Sequence, residues 1–137
     1  MRLAIDNIQF FTGSGGTGTE YPTTDLTSNT SETGIVVSQG HLYSSSYAAF
    51  KAVDSNTTNT MSWLLGTSAA NNWWQIHWES GTYATIPTIK SIKVRFDNNM
   101  QTNYFKIQGS DTGDFTGEET DYGVMKLSAK NTTLTFG

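Results

Sequence analysis

Short stretches of alternating apolar and polar residues dominate the chain from residue 34 onward. Alternation with a period of two is clear in segments 73–78, 89–96 and 104–108. Their apolar positions, which share one face within each segment, are Trp74, Ile76, Trp78, Ile92, Val94, Phe96, Phe105 and Ile107. Such alternation is typical of antiparallel strands with one solvated face. Helical spacing is limited to residues 47–53, so the pattern predicts an all-β fold.

The chain divides into three parts by composition. Residues 1–12 end in the apolar run from Ile8 to Phe11, which indicates an extended N-terminal arm or a docking strand. Residues 13–33 are mainly Gly, Ser, Thr and Asn, the composition of a flexible linker. Residues 34–137 alternate strand-like and turn-like pieces, which is the pattern expected of one β-sandwich or barrel.

Composition supports short strands joined by polar loops and limits the classes of partner. The 137 residues suffice for one domain, and 22 Thr, 14 Ser, 13 Gly and 10 Asn suit pleated strands and turns. Eight basic and twelve acidic residues give a formal net charge of −4, which does not attract a nucleic-acid backbone. No apolar run approaches the roughly 20 residues of a membrane helix. We expect neither nucleic-acid binding nor membrane insertion.

Two short motifs look like cofactor or catalytic sites, and each has a simpler interpretation. Residues 13–18 spell G-x-G-x-x-G, but a dinucleotide site needs a helix directly afterwards, and residues 19–24 lack helical spacing. A flexible linker is therefore favoured. Residues 111–113 spell the Asp-Thr-Gly triplet of aspartic proteases. Their polar neighbours favour a hairpin turn after the strand at 105–108.

Other catalytic chemistry has little support in the sequence. His41 and His77 are the only histidines, and cysteine and the H-E-x-x-H motif are absent, so a transition-metal site is not indicated. His77 alternates with Gln75 on the polar face of its strand, which favours a surface histidine. Glu118 and Glu119 lie in a Gly- and Thr-rich stretch that indicates a solvated turn. The sequence predicts a protein that is not an enzyme.

Several segments, taken in order, resemble the discoidin family, also called coagulation factor 5/8 type C. Segment 49–54 is similar to the family's short turn that ends in Asp-Gly, and Trp63 to the tryptophan that follows it. Segment 73–78 is similar to the family's W-x-Q-I-D-L strand, and 105–116 to its Y-x-I-x-x-S-x-D-G hairpin. The resemblance covers roughly residues 34–120 and implies a jelly-roll β-sandwich, here preceded by the N-terminal arm.

The resemblance also implies a cation site. In the family, the loop after the short turn often holds a structural calcium ion, and by position Asp54, Asn56 and Thr60 supply side-chain oxygens here. Calcium takes about six to eight oxygen ligands, so backbone carbonyls must supply most of them. Ser55 replaces the glycine that the family has after the aspartate. A structural calcium is an expectation from the resemblance, and no cofactor is required.

A further strand that closes the sandwich usually follows the position of Phe136 in the family. The expectation is therefore that the sandwich at 34–137 lacks its last strand. An unpaired sheet edge is normally covered or paired. Either segment 3–11 fills that place, or another subunit does, or the sequence is incomplete.

Members of this fold bind sugars, and sometimes lipid head groups or proteins, through loops at one end of the sandwich. The corresponding loops are 41–47, 64–72 and 97–103. The predicted ligand-binding residues are His41, Tyr43, Tyr47, Asn71, Asn98, Asn99 and Gln101. Trp74 and Trp78 are predicted core residues, whereas Trp73 is either a core residue or a sugar platform. The resemblance thus implies a non-catalytic glycan-binding module.

A small, cysteine-free, Thr- and Ser-rich module with a terminal arm also suits a bacteriophage virion, whose appendages often carry discoidin-like domains for host adhesion. We expect a location on the virion surface, with an extracellular location as the alternative. The expected partners are a cell-surface glycan and other virion subunits or further copies of the chain, bound through residues 1–12 and the exposed sheet edge. The alternative functions are a purely structural virion decoration or assembly protein and an accessory domain of a secreted glycosidase.

Overall fold

The structure is a computed structural model that describes residues 2–41, 44–54, 62–65, 73–79, 87–97, 104–112, 115, 117–126 and 133–137. Its strands, in chain order, are β1 (Arg2–Phe11), β2 (Glu20–Tyr21), β3 (Ile35–Gln39), β4 (Ser62–Leu65), β5 (Trp74–Trp78), β6 (Ser91–Phe96), β7 (Tyr104–Gly109), β8 (Thr120–Lys126) and β9 (Thr133–Phe136). Every strand pair in these residues is antiparallel. The prediction of an all-β fold is confirmed.

Strand β1 lies in the interior of the largest sheet. One of its edges pairs with β6, which in turn pairs with β9. The other edge pairs with β4 near the start of β1 and with β2 at its end. The segment that the sequence predicts to be an arm or docking strand is therefore docked within the sheet of its own chain.

The core lies where β1 and β6 of the main sheet face the two-stranded β3–β5 sheet. Its buried apolar side chains are Ile5, Ile8, Phe10, Leu26, Ile35, Val37, Ala49, Ala52, Val53, Val94 and Phe96. Phe10 stacks on Trp74 with ring centroids 6.2 Å apart and meets Trp78 edge-on at 5.6 Å. Both tryptophans pack against the core, as the alternation predicts. Full burial of an aliphatic side chain or a phenylalanine in this core stabilises the fold by about 1.5–3 kcal/mol.

Residues 13–33 make specific contacts with the body of the protein. Leu26 is 1 % exposed and packs in the core, and its N–H donates to the carbonyl of Val53 at 3.2 Å. The N–H of Gly16 donates to Oγ of Ser91 at 2.9 Å, and β2 pairs with the end of β1. Linker composition does not predict these contacts, because one buried leucine among polar residues has no periodicity.

Helical structure in the described residues consists of two 3-10 turns, Ser45–Tyr47 and Ala49–Ala52. They fall where the sequence predicts a short helix. The second turn is anchored to β5, because the indole N–H of Trp74 donates to the carbonyl of Ala49 at 2.9 Å. No helix in the described residues is long and apolar enough to cross a membrane.

Candidate functional site

The register of the main sheet brings two of the predicted loops to one end of β1. Ile5 pairs with Ser62 of β4 on one side and with Phe96 of β6 on the other. Both strands run antiparallel to β1, so segments 64–72 and 97–103 begin at its N-terminal end. They start on opposite sides of a single strand, which places their first residues roughly 10 Å apart.

The third predicted loop, 41–47, adjoins segment 64–72 at both of that segment's ends. The N–H of Gly40 donates to the carbonyl of Trp73 at 2.9 Å, and Trp73 directly follows the segment. The Ser45–Tyr47 turn contacts β4, where the segment begins. Loop 41–47 therefore adjoins segment 64–72, and segment 97–103 starts across β1 from the start of segment 64–72.

Two of the predicted ligand-binding residues lie in the described part of the chain. His41 is exposed, and its carbonyl accepts a hydrogen bond from Nε2 of Gln39 at 3.3 Å. Tyr47 is half-buried, and its N–H closes the 3-10 turn on the carbonyl of Ser44 at 2.9 Å. Tyr43, Asn71, Asn98, Asn99 and Gln101 lie outside the described residues, so their roles stay predictions.

Trp73 is the exposed tryptophan of the β5 segment. It is 43 % exposed, whereas Trp74 and Trp78 pack against the core. Its neighbour across the sheet is Gly40, which has no side chain to cover the indole. The sequence leaves Trp73 open between a core residue and a platform, and its exposure shows that it is not a core residue.

Of the three residues predicted to bind calcium, Asp54 is the one that lies in the described part of the chain. Asp54 is mostly buried, with its side chain 13 % exposed, and Oδ2 lies 4.0 Å from Nζ of Lys51. The lysine ammonium therefore partly neutralises the negative charge of this carboxylate. Asn56 and Thr60 lie outside the described residues, and the residues that are described contain no cluster of three acidic or histidine ligands. The calcium site stays a prediction.

A buried carboxylate, Asp6, lies close to the start of segment 97–103. Asp6 is the extra residue of a β-bulge in β1, is 2 % exposed, and places Oδ2 3.3 Å from Nε of Arg95. Burial raises the pKa of the Asp6 carboxyl, and the charge of Asp97 raises it further, while Arg95 lowers it without cancelling these effects. Alternation alone does not reveal the bulge, so the sequence gives no signal for this group.

The β3–β5 sheet has a polar outer face, which the alternation predicts to be surface. His77 is exposed and pairs with Val36, and Gln75 pairs with Ser38. The face ends at Trp73 beside Gly40. The alternation of Trp73, Gln75 and His77 along one strand was the available signal that these three side chains share a surface.

Strands β7 and β8 form the hairpin predicted around the Asp-Thr-Gly triplet. Glu118 organises its turn: the carboxylate accepts hydrogen bonds from the hydroxyl groups of Ser110 and Thr112 and from the N–H of Asp111. These bonds, with that from Ser110 the largest contributor, lower the pKa of Glu118. The structure thus places Asp111 and Thr112 of the triplet in the connection between β7 and β8, and Gly113 lies outside the described residues.

No protein-family model, curated protein or solved structure matches the chain.

Proposed function

We propose that the chain is a non-catalytic glycan-binding module with a discoidin-like jelly-roll fold. The fold part of this proposal is supported by two antiparallel sheets that enclose one core. It is also supported by the order of the segments that resemble the family. The proposed binding site is the surface around Trp73 and His41, where loop 41–47 begins and segment 64–72 ends.

The observation that carries the proposal is the exposed indole of Trp73, directly before β5. An aromatic ring that is buried on one side and open on the other offers a flat apolar face for the C–H groups of a sugar ring. His41 is exposed one residue beyond the Gly40–Trp73 hydrogen bond, and in this proposal its imidazole is a hydrogen-bonding group for the ligand. A small number of polar groups around an aromatic surface is the usual composition of a small-ligand site.

In this proposal, the predicted ligand-binding residues on the loops complete the binding surface. Tyr43, Asn71, Asn98, Asn99 and Gln101 supply amides and a hydroxyl, which match sugar hydroxyl groups as donors and acceptors. None of them carries a formal charge. The expected ligand is therefore a neutral glycan on a cell surface.

A glycan array followed by calorimetric titration of the strongest ligand tests the proposal. We expect Trp73→Ala to weaken binding at least about tenfold, which corresponds to about 1.4 kcal/mol. Thr135→Ala is the control, because Thr135 is exposed on β9 of the main sheet and lies outside the proposed site. Absence of binding to every glycan, or equal effects of the two substitutions, contradicts the proposal.

Assembly into a virion surface or tail appendage is a second candidate function, and one observation favours it. Tyr122 and Val124 are 69 % and 68 % exposed on β8, and a two-stranded hairpin is only marginally stable by itself. Contact with another subunit would cover both residues. We expect the wild-type chain to self-associate in sedimentation velocity and the variant with Tyr122→Ser and Val124→Ser to remain monomeric. A monomeric wild type at every concentration contradicts self-assembly.

A further inference from the structure

The outer face of the β3–β5 sheet extends the exposed surface of Trp73 along the whole length of β5. Three cross-strand pairs form this outer face: Val36 opposite His77, Ser38 opposite Gln75, and Gly40 beside Trp73. On the opposite face, the core is filled by side chains such as Ile35, Val37 and Ile76. Because side chains alternate between the two faces of a strand, the first set faces away from the core.

The side chains on this face differ in size between the two strands and so form a step. The β3 positions carry small residues, Val36, Ser38 and Gly40, whereas β5 carries Trp73, Gln75 and His77. Large side chains on one strand beside small ones on the next leave a step that runs parallel to the strands. His77 follows Trp73 by four positions in extended chain, so the step is roughly 13 Å long.

The chemistry of the face selects for an uncharged ligand. None of its six positions carries Asp, Glu, Lys or Arg, so these side chains offer no cation to a phosphate or a sulfate. The exposed Glu79, which continues the alternation beyond His77, disfavours an anionic ligand further. In the described part of the chain, the side chains of Gln75 and His77 have no hydrogen-bond partner. The amide and the imidazole together offer donors and acceptors at the height of the indole ring.

We propose that this face binds a linear, neutral oligosaccharide that lies along β5, with one sugar ring on the indole of Trp73 and the following rings against Gln75 and His77. This inference rests on the proposed glycan-binding function and adds the ligand class, an internal stretch of an unbranched chain. A step of this length accommodates more than one sugar ring, whereas the surface around Trp73 and His41 alone accommodates one. Hydroxyl groups along the chain bond to Gln75 and His77, while Ser38 and Gly40 leave room for the ring edges.

Affinity as a function of chain length tests the inference. The probes are neutral linear gluco-, galacto- and manno-oligosaccharides of increasing length from the monosaccharide upward, titrated calorimetrically against the wild type. We expect affinity to rise at least about tenfold, or about 1.4 kcal/mol, between the monosaccharide and a chain long enough to reach His77. His77→Ala and Gln75→Ala are expected to remove most of this gain and to leave monosaccharide binding unchanged.

His41→Ala is the control that separates the two proposals, because His41 lies at the opposite end of the surface from His77. It is expected to weaken the monosaccharide and the long chain by the same factor. Sugar binding without a gain from chain length, or a gain that survives His77→Ala, overturns the inference and leaves the glycan-binding function intact. Failure of every sugar to bind overturns both. Circular dichroism and thermal melting of each variant confirm that the fold is retained, and His77→Gln, which keeps a polar side chain, is expected to recover part of the gain.

Discussion

The carboxylate of Asp6 and the guanidinium of Arg95 meet across the β-bulge of β1, with Nε 3.3 Å from Oδ2. Oδ1 of the same carboxylate is buried and has no hydrogen-bond partner among the described residues. The ion pair therefore satisfies one oxygen only. A buried charge that is incompletely paired lowers the stability of the fold relative to its neutral form.

The stability of the protein is expected to depend on pH through Asp6. Its pKa in the folded protein is raised by burial and by Asp97, so the folded state holds this proton more tightly than the unfolded chain does. The resulting stabilisation is fully present below the unfolded pKa of 3.8, and it is lost as the pH rises through the folded pKa. Asp6→Asn removes this titration. We expect the stability of the variant relative to wild type to increase from acidic to neutral pH in urea unfolding experiments.

Asp25→Asn is the matched control for that measurement, because Asp25 is exposed. It is expected to change the relative stability far less between acidic and neutral pH. A difference between Asp6→Asn and wild type that is constant across this pH range contradicts the account of Asp6 as a strained buried carboxylate.

Alternation in the sequence predicts three of the strands well. Segments 73–78, 89–96 and 104–108 correspond to β5, β6 and β7, because their apolar residues recur at every second position. The docked position of β1 is less visible from sequence. Strand pairing depends on partners that are distant in the chain, and β1 pairs with β4 and β6, which lie more than 50 residues away.

The candidate site is predictable in part for a related reason. The exposed position of His77 follows from alternation, but the alternation does not distinguish Trp73 as a platform from Trp73 as a core residue. The 43 % exposure of Trp73 shows that it is not a core residue, and the Gly40–Trp73 backbone hydrogen bond places a residue without a side chain opposite it. The bulge at Asp6 interrupts the period of two in β1, so its burial has no sequence signal.

Leu26 is expected to stabilise the fold as a core residue although it lies in a segment of linker composition. It is 1 % exposed, and Leu→Ala at a buried site costs about 2–5 kcal/mol, because it removes apolar contacts and leaves a cavity. We expect Leu26→Ala to lower the free energy of unfolding by about 3 kcal/mol in urea. Thr27→Ala, at the exposed neighbouring position, is expected to change it by less than about 0.5 kcal/mol. Equal small effects at both positions would mean that the segment does not pack in solution.

Calcium binding at Asp54 is testable by thermal melting, and Lys51 provides an internal check. A ligand that binds only the folded state raises its stability by about 2.7 kcal/mol at a concentration of 100 times Kd. We expect millimolar calcium to raise the melting temperature of the wild type and to have no effect on Asp54→Asn. Lys51→Ala is expected to tighten calcium binding, because it removes the ammonium group 4.0 Å from Oδ2 of Asp54. The calcium site is excluded if millimolar calcium leaves the melting temperature of the wild type unchanged.

Glu118 is expected to hold the β7–β8 turn closed in a pH-dependent manner. Its pKa is lowered, chiefly by the hydrogen bond from Ser110, so the stabilisation is present above the unfolded pKa of 4.5 and is lost as the pH falls through the folded pKa. Glu118→Gln removes the charge that accepts the N–H of Asp111 at 3.1 Å. We expect the amide proton of Asp111 to exchange faster with solvent in this variant at neutral pH. Glu119→Gln is the control, because Glu119 accepts instead from the N–H of Gly117 at 2.7 Å and is expected to affect that amide alone. Unchanged exchange at Asp111 in Glu118→Gln would show that the carboxylate does not organise the turn.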